Sequence, residues 1–234
     1  MRHLTRMAAP HWLALYGLIL GAWAGLWWLA APAPDLAGAL WALCRATPEA
    51  AGPGGVLAMW ALMSAAMMLP TALPAFATYD EVAHAHGLGG GGRLVAGYAV
   101  VWLGASALAA GLQLGLPALA HPVAGPVLLV GAAAYQVSPL KEACLSRCRA
   151  PLTFLMAHWD AGPWRMGLRL GLVCLGCCWA LMALAFVGGL MSLGFMALAM
   201  VLMTLEKLSR GTLVPRATAI ACLLGAGFLI GGLP

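Results

Sequence analysis

The chain has 234 residues, and only 8% of them are charged, with 12 Lys or Arg and 7 Asp or Glu. A soluble globular domain carries about 25% charged residues, so this composition excludes that class. With 63% hydrophobic residues and apolar runs that exceed the roughly 20 residues needed to cross a bilayer, the sequence predicts a multi-pass helical membrane protein. The runs lack a two-residue alternation, which excludes a membrane β-barrel.

Seven apolar runs, each bounded by polar, Gly or Pro residues, are predicted to cross the membrane. Together they form one all-α transmembrane bundle over residues 1–234. The predicted spans are residues 12–31, 54–78, 93–116, 122–140, 167–188, 190–208 and 213–232. A cytoplasmic amphipathic segment, residues 141–165, connects the fourth span to the fifth.

Basic residues predict the orientation of the bundle, because Lys and Arg in short loops stay on the cytoplasmic side. With the N-terminus inside, eleven of the twelve basic residues are cytoplasmic, and Arg45 alone is outside. We therefore predict an N-in, C-out protein of the inner membrane. The formal net charge of +5 follows from this bias and suits anionic membrane lipid, so no nucleic-acid partner is expected.

Methionines are regularly spaced in the second span. Met59, Met63 and Met67 recur every four residues, with Met68 beside the last, and this spacing places the first three on one helical face. A flexible Met side chain is common in helix packing, but its thioether is also a soft ligand for Cu(I). Met63, Met67 and Met68 are therefore candidate metal ligands.

Three cysteines lie within five residues of the fifth span, at Cys174, Cys177 and Cys178, and Met182 follows one turn later. Cys174, Cys178 and Met182 share a helical face. Thiolate and thioether sulfur favours Cu(I) over harder divalent ions, so these four residues are predicted to bind metal. Met67 and Cys177 each lie near the middle of a span, so the two groups meet at one depth if their helices are in contact.

A further cysteine pair lies in the cytoplasmic segment, where Cys144 and Cys148 are spaced i and i+4. On a helix both sulfurs face the same way, which suits Cu(I) or half of a zinc site. The neighbouring Lys141, Arg147 and Arg149 are expected to lower the thiol pKa values and favour thiolate. The pair is predicted to capture metal at the cytoplasmic face; the alternative is an interfacial helix with incidental cysteines.

The sixth span contains a second methionine stripe that includes Met203 and ends at Glu206 and Lys207. An acid and a base at the end of a span usually form an interfacial ion pair. An acid beside a methionine stripe is also compatible with an ion path. Met203 and Glu206 are therefore secondary candidates for metal binding.

Acidic and histidine side chains cluster at the inner end of the second span. Asp80 and His84 are one helical turn apart, and Glu81 and His86 lie beside them. Such a set suits a divalent metal, although solvated loops often have this composition without any ion. Asp80, His84 and His86 are secondary candidates.

These motifs resemble a family of uncharacterised bacterial integral membrane proteins described as predicted metal-binding proteins. The resemblance implies metal binding, and the sulfur ligands point to copper, at the matching Met and Cys positions only. The matching motifs are Trp60-x-x-Met63, Ala66-Met67-Met68-x-Pro70, Tyr135, Pro139-Leu140-Lys141-x-x-Cys144-x-x-x-Cys148-Arg149-x-Pro151, Cys174-x-Gly176-Cys177-Cys178-Trp179 and Met203-x-x-Glu206-Lys207.

The sequence therefore predicts a non-enzymatic Cu(I)-handling protein of the bacterial inner membrane, active in storage, delivery or transport. A cuproenzyme or a soluble metal carrier is its expected partner. No nucleotide-binding motif is present, so no nucleotide cofactor is expected. Two alternatives stay open: a membrane thiol-disulfide oxidoreductase that uses Cys174 and Cys177, and a non-catalytic assembly subunit of a membrane complex.

Overall fold

A computed structural model describes residues 10–30, 52–116, 123–186, 193–209 and 211–232. Within these ranges the chain is helical and has no strand, which confirms the all-α prediction. Two 3₁₀ turns, Trp159–Ala161 and Leu184–Phe186, lie before and after the helix Gly162–Ala183. The α-helices of the described ranges are α1 (Pro10–Ala30), α2 (Gly52–Ala85), α3 (Gly91–Gly115), α4 (Ala124–Gln136), α5 (Pro139–Arg149), α6 (Pro151–Met156), α7 (Gly162–Ala183), α8 (Leu193–Leu208) and α9 (Leu213–Gly231).

Seven of these helices overlap the seven predicted spans, with bounds that differ by up to several residues. Four segments are long and apolar enough to cross a membrane: α2, α3, α9 and the stretch from Trp159 to Phe186 that contains α7. The count of seven spans and the N-in orientation stay predictions. Four of the basic residues behind that orientation, Arg2, Arg6, Arg45 and Arg210, lie outside the described residues.

The fourth predicted span ends earlier than its apolar pattern indicates. Helix α4 ends at Gln136, and α5 begins at Pro139. The local reason is a cap, because the Ser138 side chain accepts a hydrogen bond from the Lys141 backbone N–H at 3.2 Å and Pro139 occupies the first turn. The cap starts a separate helix, and this helix carries the Cys144 and Cys148 pair.

Helix α3 packs between α2 and α7, and α8 contacts α2, α5 and α7. The approach of α3 to α7 is close because glycines lie at the crossing. A Cβ on Gly167 would collide with the backbone of Leu94, and one on Gly97 would collide with the carbonyl of Trp164. On the other side of α3, the Ser106 hydroxyl shares a hydrogen bond of 2.8 Å with the hydroxyl of Ser64 on α2.

We predict that Gly167→Ala lowers the free energy of unfolding by about 1–3 kcal/mol, because the added methyl group meets backbone that cannot rotate away. Thermal unfolding of the purified protein in detergent measures the change. Gly104→Ala is the matched control on α3, since open space surrounds the Cβ position at that residue. Equal stability of the two variants would contradict the close crossing.

A buried ion pair attaches α5 to α8. The Lys141 ammonium lies 2.7 Å from the Glu206 carboxylate, with both side chains 2% exposed, and Gln136 hydrogen-bonds to both residues. The predicted interfacial pair between Glu206 and Lys207 is therefore wrong. Consecutive residues on a helix point about 100° apart, so the two side chains reach different neighbours.

Lys141→Met is predicted to destabilise the protein by about 3–5 kcal/mol, because it leaves the Glu206 carboxylate buried without a counter-ion. Chemical unfolding in detergent provides the measurement. Glu142→Gln is the control, since it removes a half-exposed carboxylate that lies 3.3 Å from Arg149; we expect a loss below about 1 kcal/mol. A Lys141→Met protein as stable as this control would refute the role of the pair.

Candidate metal centre

The three cysteines of α7 form a buried group, which we call the thiol cluster (Cys174, Cys177 and Cys178). Their i, i+3 and i+4 spacing places them on one helical face, and each is 1–2% exposed. Their sulfur atoms all lie within 4.8 Å of one another, and the Cys177 and Cys178 sulfurs are 3.2 Å apart. Across the described residues, no other three His, Cys, Asp or Glu side chains bring ligand atoms this close together.

Helix α5 adds a fourth sulfur beside the thiol cluster. Cys148 is half-buried, and its sulfur lies 3.7 Å from that of Cys177. Cys144 lies against the backbone of α7, because a Cβ on Gly176 would come within 2.6 Å of the Cys144 sulfur. All six cysteines in the described ranges are free thiols. The predicted Cys144 and Cys148 pair therefore packs onto α7.

Hydrogen bonding to Cys174 is the largest influence on the Cys148 thiol and raises its pKa; burial acts in the same direction. The prediction that Lys141, Arg147 and Arg149 give Cys148 a lowered pKa is therefore wrong. The charge of Lys207 does lower this pKa, but hydrogen bonding and burial outweigh it. Lys141 instead binds Glu206, and Arg149 donates to the carbonyls of Glu206 and Gly211.

Polar side chains from three other helices surround Cys174. The Lys207 ammonium of α8 donates to the Cys174 sulfur at 3.1 Å and to the Thr71 hydroxyl at 2.7 Å. The Tyr98 hydroxyl of α3 lies 3.1 Å from the same sulfur and donates to the Met68 carbonyl at 3.0 Å. Sequence reasoning did not assign Tyr98, Thr71 or Lys207 to the site, although polar groups within apolar spans are a signal of function.

A cavity of about 180 Å³ adjoins these groups, and we call it the thiol cavity. Its polar lining consists of Thr71, Tyr98, Cys148, Arg149, Cys174 and Lys207. Two cysteines, Cys148 and Cys174, line this cavity, and Leu208, which is 65% exposed, also lines it.

The predicted methionine ligands are buried, and Met63, Met67, Met68 and Met203 are 0–2% exposed. The backbone carbonyl of Met68 accepts a hydrogen bond from the Tyr98 hydroxyl, which also lies 3.1 Å from the Cys174 sulfur. Met182 lines a different, apolar cavity of about 490 Å³. The role of these thioethers as ligands stays a prediction.

The secondary candidates at the end of α2 do not form a group of three ligand atoms in the described part of the chain. Asp80 accepts a hydrogen bond of 2.7 Å from the Trp12 indole. The His86 ring interacts with the Val82 carbonyl at 2.8 Å, and His84 is exposed. A divalent site at these residues stays a prediction without support from their geometry.

Fold and site together define a helical protein with apolar helices of membrane-spanning length and a buried site made of thiols. The family model described as PpoB2, copper chaperone, matches residues 57–230, which is well over half of the chain. The chain therefore belongs to the PpoB2 copper chaperone family. No curated protein and no solved structure matches it.

We predict that Cys148 reacts slowly with iodoacetamide near pH 8 in the reduced, metal-free protein, because its raised pKa keeps it in the thiol form. Cys174→Ala removes the hydrogen bond that raises this pKa and is expected to accelerate the reaction several-fold. Mass spectrometry of the Cys148 peptide gives the rate. Cys222→Ala is the control, and equal rates in both variants would contradict the assigned cause.

Proposed function

We propose that this protein is a membrane copper chaperone that binds Cu(I) through the thiol cluster and delivers it to a cuproenzyme. The observation that carries the proposal is the set of three buried sulfur atoms within 4.8 Å of one another. Soft thiolates select Cu(I), whereas harder divalent ions prefer oxygen and nitrogen ligands. Membership of a copper chaperone family supports copper as the ion.

Lys207 supports ion binding through charge. Each thiol that binds Cu(I) as thiolate adds a negative charge, and several thiolates exceed the single positive charge of the ion. Excess charge in an apolar bundle is costly unless it is paired. The Lys207 ammonium, 3.1 Å from the Cys174 sulfur, supplies a compensating positive charge.

Membrane location is supported by the outer surface of the helices. Four apolar segments have the required length, and large hydrophobic side chains on α3 and α9 face outward, with Leu108 66% and Phe228 82% exposed. In water such a surface would be an aggregation hazard, whereas lipid solvates it. We place the protein in the bacterial inner membrane, with its N-terminus inside.

Delivery is favoured over storage or transport. A single cluster of three thiols holds few ions, which suits transfer better than storage. The family is described as copper chaperones, proteins that pass the ion to a partner. The partner we propose is a cuproenzyme, which receives Cu(I) from the cluster directly or through a soluble carrier.

The decisive experiment measures copper in protein purified in detergent under reducing, anaerobic conditions, by elemental mass spectrometry. We expect close to one copper per chain in the wild type. The variant with Cys174, Cys177 and Cys178 all changed to Ser is expected to lose at least about nine-tenths of it, because three of the four neighbouring sulfur ligands are removed. Met67→Leu tests whether a thioether contributes.

Cys222→Ser is the matched control, because Cys222 is a buried cysteine of α9 outside the thiol cluster. Its copper content is expected to equal that of the wild type. If the wild type contains no copper and binds none when Cu(I) is added, the proposed function fails. If the triple variant keeps its copper, the thiol cluster is not the binding site.

A further inference from the structure

We infer that the thiol cavity is the entry site for copper, and that it receives Cu(I) as an anionic thiolate complex from its donor. This inference rests on the proposed function and adds the chemical class of the donor. Cys148 would be the first sulfur to bind the incoming ion, and Lys207 would attract the complex.

Position singles out Cys148 among the four neighbouring sulfur atoms. Cys148 and Cys174 both line the thiol cavity, but the thiols of the cluster are only 1–2% exposed, whereas Cys148 is half-buried. Its sulfur lies 3.7 Å from that of Cys177, within the cluster. An ion on Cys148 is therefore one ligand exchange away from the buried thiols.

The charged groups of the thiol cavity are both cationic, Lys207 and Arg149, and no acidic residue is among its lining side chains. Glu206, the neighbour of Lys207 in sequence, is held by Lys141. Glu142 lies 3.3 Å from Arg149 but is half-exposed, so solvent weakens its effect. A cationic cavity repels a hydrated metal cation and attracts an anion.

Cu(I) held by two thiolates carries a net negative charge, so a donor that binds copper through two thiols presents it as an anion. Transfer proceeds by ligand exchange: a copper–sulfur bond forms to Cys148 while one to the donor breaks. The Cys148 proton passes to the departing donor thiolate. Copper remains Cu(I) throughout, so the step needs no oxidant or reductant.

The apolar cavity that Met182 lines does not suit the role of copper entry site. It is larger, about 490 Å³, but its lining includes no cysteine and no charged side chain. Trp60, Trp102 and Trp179 are among its lining residues, and such walls exclude a charged complex. Of these two cavities, the thiol cavity is the one that combines charged side chains with cysteine ligands.

The test compares initial rates of copper loading from two sources, under anaerobic conditions, into the metal-free, detergent-solubilised full chain. One source is Cu(I) bound by two equivalents of glutathione, which is anionic; the other is tetrakis(acetonitrile)copper(I), a cation. Lys207→Gln is expected to slow loading from the glutathione complex about tenfold and loading from the cation little or not at all. Cys148→Ser is expected to slow loading from both sources.

Two further variants distinguish the effect of the lost charge on the loading rate from the effect of impaired folding. Lys207→Arg keeps the charge and is expected to restore most of the rate from the glutathione complex. Arg165→Gln removes an exposed charge that does not line the thiol cavity, so its rates are expected to match the wild type. Thermal unfolding of each variant shows whether it is folded.

The inference is overturned if Lys207→Gln slows both sources equally, or if Cys148→Ser loads at the wild-type rate. In those cases a wild type that fills with copper still upholds the proposed function. A wild type that takes copper from neither source overturns both proposals.

Discussion

The ammonium group of Lys207 is the interaction on which the arrangement of the site depends. It donates to the Cys174 sulfur of α7 and to the Thr71 hydroxyl of α2, so it connects α8 to both helices. A charged group removed from water requires partners, and here those partners are the thiol cluster and a hydroxyl. The same contact that joins three helices therefore also places a positive charge beside the sulfur atoms.

A second cation, Lys141, has a structural role. Its pair with Glu206 is closed and buried, with Gln136 completing the network, and Arg149 donates to the Glu206 backbone carbonyl. These contacts hold α5 against α8 and thereby keep Cys148 beside Cys177. The buried Lys141 thus fixes the position of a helix, while the partly buried Lys207 faces the thiols.

The separate roles of the two lysines suit a chaperone, which must bind copper firmly enough to carry it and loosely enough to pass it on. In the proposed function, soft sulfur ligands would provide the affinity for Cu(I). A fourth, half-buried sulfur on a neighbouring helix would give the ion a path for stepwise ligand exchange. Chemistry of this kind needs neither a nucleotide nor a change of oxidation state.

The helical class, the approximate helix positions and the thiol cluster followed from the sequence alone. Apolar run length reflects bilayer thickness, and the i, i+3 and i+4 spacing of three cysteines brings them together within a single helix. Both are local properties of the chain. The family match agrees with copper as the ion that the cysteines suggested.

Only the tertiary structure decided which side chains meet across helices. It placed Cys148 beside Cys177, Lys207 beside Cys174 and Glu206 beside Lys141, and it directed Met182 into the other cavity. Helices that are apolar on every side show little in their pattern about which face meets which neighbour. That choice depends on close packing at small residues such as Gly97 and Gly167 and on buried polar pairs, which form only when the bundle assembles.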